Sequence, residues 1–292
     1  MTSRAVNGVS EKSPPRAKMS SNLAKRVMVA VVGIPAIVVI SYFGGYLLYA
    51  FCLLVSVLAG WEIAAMLLAK QIRLSKKLIT ILTVVLVSMF QFSRFGNEGL
   101  FVIFILFMLA AILKLIQAGT ENYTSHLAYS FLAAIYPGFF ISFSILLHRD
   151  FTPVGWVFLL FVFVNTWIAD TFAYGFGRWL GKRKLAPTIS PNKTWAGFVF
   201  SFVGGLITPF MAKPFLPNGA GGHNWPFITL IILSLVATFF GQIGDLIESA
   251  VKRDCGVKDS SNLIPGHGGV LDRFDSFIIA LPAVYFLLRV VA

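Results

Sequence analysis

Charge is the scarcest commodity in this chain. Only 12% of its 292 residues are charged, about half the share usual in a soluble domain, and only twelve are acidic. Hydrophobic residues make up 57% and mean hydropathy is +0.81. A soluble fold with one anchor is excluded, because apolar runs fill most of the length. Cysteine is nearly as rare. Cys52 lies in an apolar run and Cys255 in a basic loop, with no CxxC, so a disulfide framework is excluded. The four histidines, His126, His148, His223 and His267, are scattered, which speaks against zinc. No internal repeat is evident. No cleavage signal follows the first charged stretch, so the first apolar run is expected to stay.

What remains reads as an all-α polytopic membrane protein of about nine transmembrane helices. A span needs about 20 mostly apolar residues. The candidates are 27–43, 46–68, 77–94, 99–117, 126–147, 153–175, 195–213, 225–248 and 273–291. In lipid every backbone polar group must pair internally, which favours helices. Pro35, Pro137 and Pro209 fall inside spans and are expected to kink them. Residues 1–24, rich in Ser, Pro, Lys and Arg, cannot bury a core and are expected to form a disordered basic tail. Residues 25–150 read as a transmembrane scaffold. Residues 151–292 read as a catalytic transmembrane region, with cytoplasmic loops 176–194 and 249–272.

The net charge of +12 would suggest nucleic acid in a soluble protein. Here an anionic cytoplasmic leaflet is the simpler partner, and no nucleic acid is expected. With the N-terminus in the cytoplasm, twenty of the 24 Lys and Arg fall in cytoplasmic segments. Arg94, Arg149, Lys213 and Arg289 lie opposite. The N-terminus is therefore expected inside and the C-terminus on the other side. The expectation is an integral membrane protein, in the cell (inner) membrane if bacterial, with its active site facing the cytoplasm.

Six of the twelve acids lie between 245 and 275: Asp245, Glu248, Asp254, Asp259, Asp272 and Asp275. On the expected topology Asp170, Asp245, Asp272 and Asp275 meet at one interface. Carboxylates near lipid are expensive, and several together repel unless a cation intervenes. Mg²⁺ suits such a site, being held by one or two carboxylates plus substrate phosphates. Asp272 and Asp275, at i and i+3, share a helical face, as do Asp245 and Ser249 at i and i+4. Asp272 alone would equally serve as a helix cap. Glu248 and Asp254 read as solvated loop-edge charges, and Glu62, beside Trp61, as interfacial.

Two basic loops flank these acids. "RWLGKRKLAPTISPNKTWAG" (178–197) holds Ser190, Lys193 and Thr194, the last two just before a helix whose N-terminus favours anions. Its Lys182, Arg183 and Lys184 read as positive-inside decoration. "SAVKRDCGVKDSSNLIPGHGG" (249–269) holds Ser249, Lys252, Arg253, Lys258, Asp259, His267, Gly268 and Gly269. "GFGRWLG" follows a membrane helix and fits neither glycine-rich nucleotide pattern, so it reads as a helix end. Metal plus phosphate grips point to phosphoryl or nucleotidyl transfer. The interface position points to a lipid whose headgroup sits in water. A phosphate headgroup is already ionised, so alignment and cations matter more than a base. An ion transporter is the competing reading.

The stretch 249–275 resembles the signature of the phosphatidate cytidylyltransferases (CDP-diacylglycerol synthases). The resemblance rests on Ser249, Lys252-Arg253, Lys258-Asp259, His267-Gly268-Gly269 and Asp272-Arg273-x-Asp275. "NTWIADTFAYGFG" and "SPNKTWAGF" upstream are similar to the family as well, although Ala196 departs from the Glu or Gln often found there. The resemblance implies that CTP and phosphatidic acid give CDP-diacylglycerol and pyrophosphate, with Mg²⁺ and a second cation such as K⁺ nearby. It implies Asp245, Asp272 and Asp275 as metal ligands, and phosphate handling by Ser190, Lys193, Thr194, Ser249, Lys252, Arg253, Lys258, Asp259 and Arg273. Asp170 would line the cavity, His267, Gly268 and Gly269 would shape the loop, and the assembly would be a homodimer. Another lipid phosphate as acceptor is the alternative within the class.

Overall fold

The structure, a computed structural model, describes residues 16–92, 105, 108, 111, 112, 123–217, 219, 224–264 and 268–291, with the backbone alone over 16–27. Helix α1 runs Arg16–Phe43, α2 Gly45–Leu67 and α3 Lys76–Phe92. Then come α4 Tyr123–Ile141, α5 Phe143–Asp150 and α6 Gly155–Leu180. A hairpin follows, β1 Lys184–Ala186 and β2 Ser190–Thr194, then α7 Trp195–Gly205, α8 Thr208–Ala212, α9 Phe227–Asp254 and α10 Leu271–Val291. Helix α1 begins just after Pro14-Pro15 in sequence, within the expected tail. The expected span 99–117 lies outside the described residues, apart from four isolated positions.

Among the described residues six helical stretches are long and apolar enough to cross a membrane: Gly45–Lys70, Tyr123–Asp150, Gly155–Leu180, Trp195–Phe215, Phe227–Asp254 and Leu271–Val291. Met28–Phe43 is a shorter apolar helix, and α3 has 17 residues. The protein is a helical membrane protein. Among the described residues the two-stranded antiparallel hairpin, with Lys184 opposite Thr194 and Ala186 opposite Ser190, and one isolated bridge between Ile264 and Gly268 depart from all-α. Two loop boundaries are corrected. Residues 176–180 belong to α6 and 249–254 to α9, because nothing breaks either helix before Gly181 or the Cys255-Gly256 turn.

Side-chain contacts fix the direction of each helix. Trp61 of α2 donates to Thr80 of α3 (3.0 Å), and Tyr49 bonds Ser88 (2.7 Å), so these helices are antiparallel. Ser56 donates to Pro137 O (3.4 Å) and Cys52 approaches Ile141 O (3.9 Å), so α4 is antiparallel to α2 as well. Pro137, lacking an N–H, leaves Ala133 O without its helical donor. Gly60 packs against that carbonyl, where a Cβ would come within 2.6 Å. Pro209 falls at the start of α8, so the seventh expected span breaks there rather than bending.

Helices α6 and α9 run parallel, tied in mid-bundle by Asn165. Its amide donates to Thr238 Oγ1 (2.9 Å), and its carbonyl accepts from Ser234 Oγ (2.8 Å). At one end of the bundle Tyr285 donates to Asp150 (2.8 Å). The other end gathers the C-terminal turns of α2, α6 and α9, the N-terminus of α10 and the hairpin. All the remaining polar chemistry described below sits there.

Candidate active site

A cleft of about 670 Å³ opens between the last turns of α6, the hairpin, the first turn of α7 and the last third of α9. Asp170, Gln242 and Asp245 line it together with Arg178, Lys184, Ser190, Lys193 and Thr194. Thr194 caps α7, accepting from Gly197 N (3.1 Å). That cap fixes the end of β2 and hence Lys193, whose ammonium reaches across to α9. It lies 2.8 Å from Asp245 Oδ2 and 3.4 Å from Gln242 O. Gln242 donates to Asp170 (3.0 Å), and Ser249 to Asp245 (3.2 Å). Asp275, on the first turns of α10, lies within electrostatic reach of both Asp245 and Asp170. Arg273 is exposed and within reach of Asp170.

Beneath this cleft lies a second, buried cluster. Asp272 accepts from Lys252 Nζ (2.6 Å), Ser260 N (2.9 Å), Ser260 Oγ (2.8 Å) and Gly269 N (2.8 Å). Lys252 is also 2.6 Å from Glu248. Glu62 reaches in from α2 and accepts from Ser260, Ser261, Val270 N and Leu271 N. Two readings need correction. Glu248 is fully buried rather than solvated, because Lys252 one turn on folds back over it. Glu62 is 5% exposed rather than interfacial. Asp254 is exposed and pairs with Lys70.

The glycine pair follows from this cluster. Gly268 has φ +82, a region that L side chains avoid, and a Cβ on it would come within 2.7 Å of Asp272. A Cβ on Gly269 would run into Ser260 Oγ and the Glu62 carboxylate. Gly268 O accepts from Ile264 N (2.8 Å), closing the loop. His267 lies outside the described residues.

The expected site residues therefore divide. Asp170, Ser190, Lys193, Thr194 and Asp245 line the cleft, with Ser249, Arg273 and Asp275 at its edge. Asp272, Lys252, Gly268 and Gly269 belong to the buried cluster. Arg253 ties the loop to the hairpin, donating to Ile189 O (3.2 Å) and Val257 O (2.8 Å). Lys258 and Asp259 are exposed. Arg178, Lys184, Asn192 and Gln242 were not foreseen as cleft residues. Lys184 reads in sequence as positive-inside charge, and the hairpin, which pairs it with Thr194, brings it to the cleft.

Among the described residues no three acidic, His or Cys side chains stand close enough to cage a metal by themselves. Asp170 and Asp245 are nonetheless hard oxygen donors lining the cleft, Asp275 lies within their electrostatic reach, and one ammonium, Lys193, is paired with Asp245. That fits an ion which takes part of its shell from water and substrate phosphate. Asp272 fits less well, since both its oxygens are already engaged.

Fold and site together define a polytopic membrane protein with a cleft of mixed charge at one end of its helix bundle. Residues 24–291 match the family model of the cytidylyltransferases, and the chain belongs to the cytidylyltransferase family. It is similar to the phosphatidate cytidylyltransferase of Staphylococcus saprophyticus, 48% identical over 134 residues, and to that of Bacillus subtilis, 46% identical over 159. These matches cover 46% and 54% of this chain, and 50% and 56% of those proteins. The chain thus spans about half the length of the curated relatives it matches.

Proposed function

We propose that this chain is a CTP:phosphatidate cytidylyltransferase. A phosphate oxygen of phosphatidic acid attacks the α-phosphorus of CTP. The bond from that phosphorus to the β-phosphate bridging oxygen breaks, giving CDP-diacylglycerol and pyrophosphate. The observation that carries the reading is the cleft itself. It is lined by three cations (Arg178, Lys184, Lys193) together with two carboxylates (Asp170, Asp245), at the end of the bundle where a water-borne triphosphate and a membrane-bound phosphate can meet.

Asp245 and Asp275 would hold Mg²⁺, with Asp170 beside them and room for a second cation such as K⁺. Mg²⁺ supplies charge neutralisation on the phosphate oxygens. Lys193, held by its ion pair with Asp245 and a long bond to Gln242 O, would turn to a phosphate when one binds. Arg178 and Lys184 can grip the leaving pyrophosphate, and Arg273 the lipid phosphate. Asp272 and Lys252 are assigned to holding the loop. Residues 151–292 then form the catalytic region on a scaffold of residues 25–150.

Nine crossings with the N-terminus in the cytoplasm complete the proposal. Helices α3 and α4 both run away from the site end, so a nine-crossing path needs one more crossing between them, where 99–117 was expected. Lys70, Arg73, Lys76, Lys77 and the basic hairpin cluster at the site end, and Arg149, Lys213 and Arg289 at the other, which supports a cytoplasmic site. An ion pathway would spread acids through the depth of the bundle, whereas these gather at one end. Pyrophosphate release by the detergent-purified protein is expected only when CTP, phosphatidic acid and Mg²⁺ are all present. Release without lipid, or none with all three, counts against the reading.

A further inference from the structure

Glu62 stands on α2, in the half of the chain that carries none of the phosphate-handling motifs. Its carboxylate is buried and accepts three hydrogen bonds, from Ser261 Oγ (2.7 Å), Leu271 N (2.8 Å) and Val270 N (2.9 Å), while Ser260 Oγ, 3.0 Å away, shares its one proton between Glu62 and Asp272. Among the described residues no Lys or Arg forms an ion pair with it. The two amides open α10 and have no acceptor within the helix. A carboxylate there satisfies both and meets the positive end of the helix dipole. Helix α10 is thus capped by a different helix rather than by its own preceding residue. The same carboxylate holds the 260–261 hydroxyls, and Ser260 in turn holds Asp272.

The geometry points to Glu62 as a positioning residue for the transfer reaction: it seats the first turn of α10, and with it Arg273 and Asp275, against the cleft. The assignment rests on the proposed cytidylyl transfer. It touches no substrate. It acts because a misplacement of about 1 Å in a reacting constellation can cost on the order of a hundredfold in rate.

The test is Glu62→Gln, which keeps the shape but turns an N–H₂ group toward N–H and O–H donors. Amide hydrogen exchange in peptides spanning 269–275 is expected to speed up about tenfold, with peptides of α6 unchanged. Turnover per folded molecule should fall about ten- to hundredfold. The KM for CTP should stay within about threefold, since Glu62 does not reach Lys193, Arg178 or Lys184. Unaltered exchange at 269–275 overturns the assignment. So does unaltered turnover per folded molecule, or a loss appearing only as less folded protein. If Glu62→Gln does not fold, Ser261→Ala removes one donor and leaves the carboxylate. It should show the same pattern at about two- to fivefold, and wild-type exchange and turnover in it overturn the assignment. A wild-type protein that transfers no nucleotide sinks the cytidylyltransferase reading instead. The exchange result then still decides whether Glu62 holds α10.

Discussion

Asp272 and Asp275 stand three residues apart on α10 and keep different company. Both oxygens of Asp272 meet buried donors, among them Lys252, whose side chain is 11% exposed. Asp275 accepts from the adjacent Ser276 N (2.6 Å) and lies within electrostatic reach of Asp245 and Asp170. Asp275→Asn is therefore expected to lower turnover at least about a hundredfold with the melting temperature in detergent held. Asp272→Asn is expected to destabilise by about 1–3 kcal/mol, because it removes one of the two carboxylates paired with the buried Lys252 ammonium and leaves Ser260 and Gly269 donors facing an amide; a thermal melt in detergent measures both. The spacing of the two aspartates was legible in sequence, and their different partners were not. The donors come from Lys252 and Ser260, brought in by the loop. Glu62 was hidden for the same reason, its donors lying 198 to 209 residues away. Cys255 makes a third test at this scale. Burial, and then the neighbouring Asp254 charge, push its thiol up, so little thiolate forms at neutral pH. Maleimide should leave Cys255 unmodified in the folded protein at pH 7 and label it fully on unfolding, as read by mass spectrometry.

Among the elements, α9 and α10 matter most, because they carry Asp245 and Asp275 past each other. Gly244 permits the approach: a Cβ there would come within 2.5 Å of Asp275 O. Gly244→Ala should force the helices apart at a cost of about 1–3 kcal/mol. It should also lower turnover more than an alanine placed at the uncrowded Gly175, assayed alongside. The long apolar helices were readable from their runs, with ends good to a few residues. The hairpin was not. Its strands have three and five residues and carry Pro191, so turn chemistry outweighed any strand signal. Yet the hairpin brings both Lys184 and Lys193 to the cleft.

For the molecule as a whole, the segregation of charge to one end is the organising fact. It supports a cytoplasmic site. A single introduced cysteine at exposed Lys182 should label only from the cytoplasmic face of sealed vesicles, and one at exposed Asn224 only from the opposite face. The reverse pattern would invert the topology. Buried Cys52 and Cys255 should not confuse the result. The membrane class and the gathering of acids were both present in composition and spacing. Which acids touch substrate and which hold the protein together depended on the packed tertiary structure.

The central claim is that this cleft transfers a cytidylyl group to a lipid phosphate. The most direct measurement follows CTP labelled at its α-phosphorus, in mixed micelles of phosphatidic acid with Mg²⁺ and the purified protein. The account predicts label in the lipid fraction in one-to-one proportion with pyrophosphate released, and none with Asp275→Asn. Label that stays in the aqueous phase while CTP is consumed, or that reaches lipid equally well with Asp275→Asn, would contradict it.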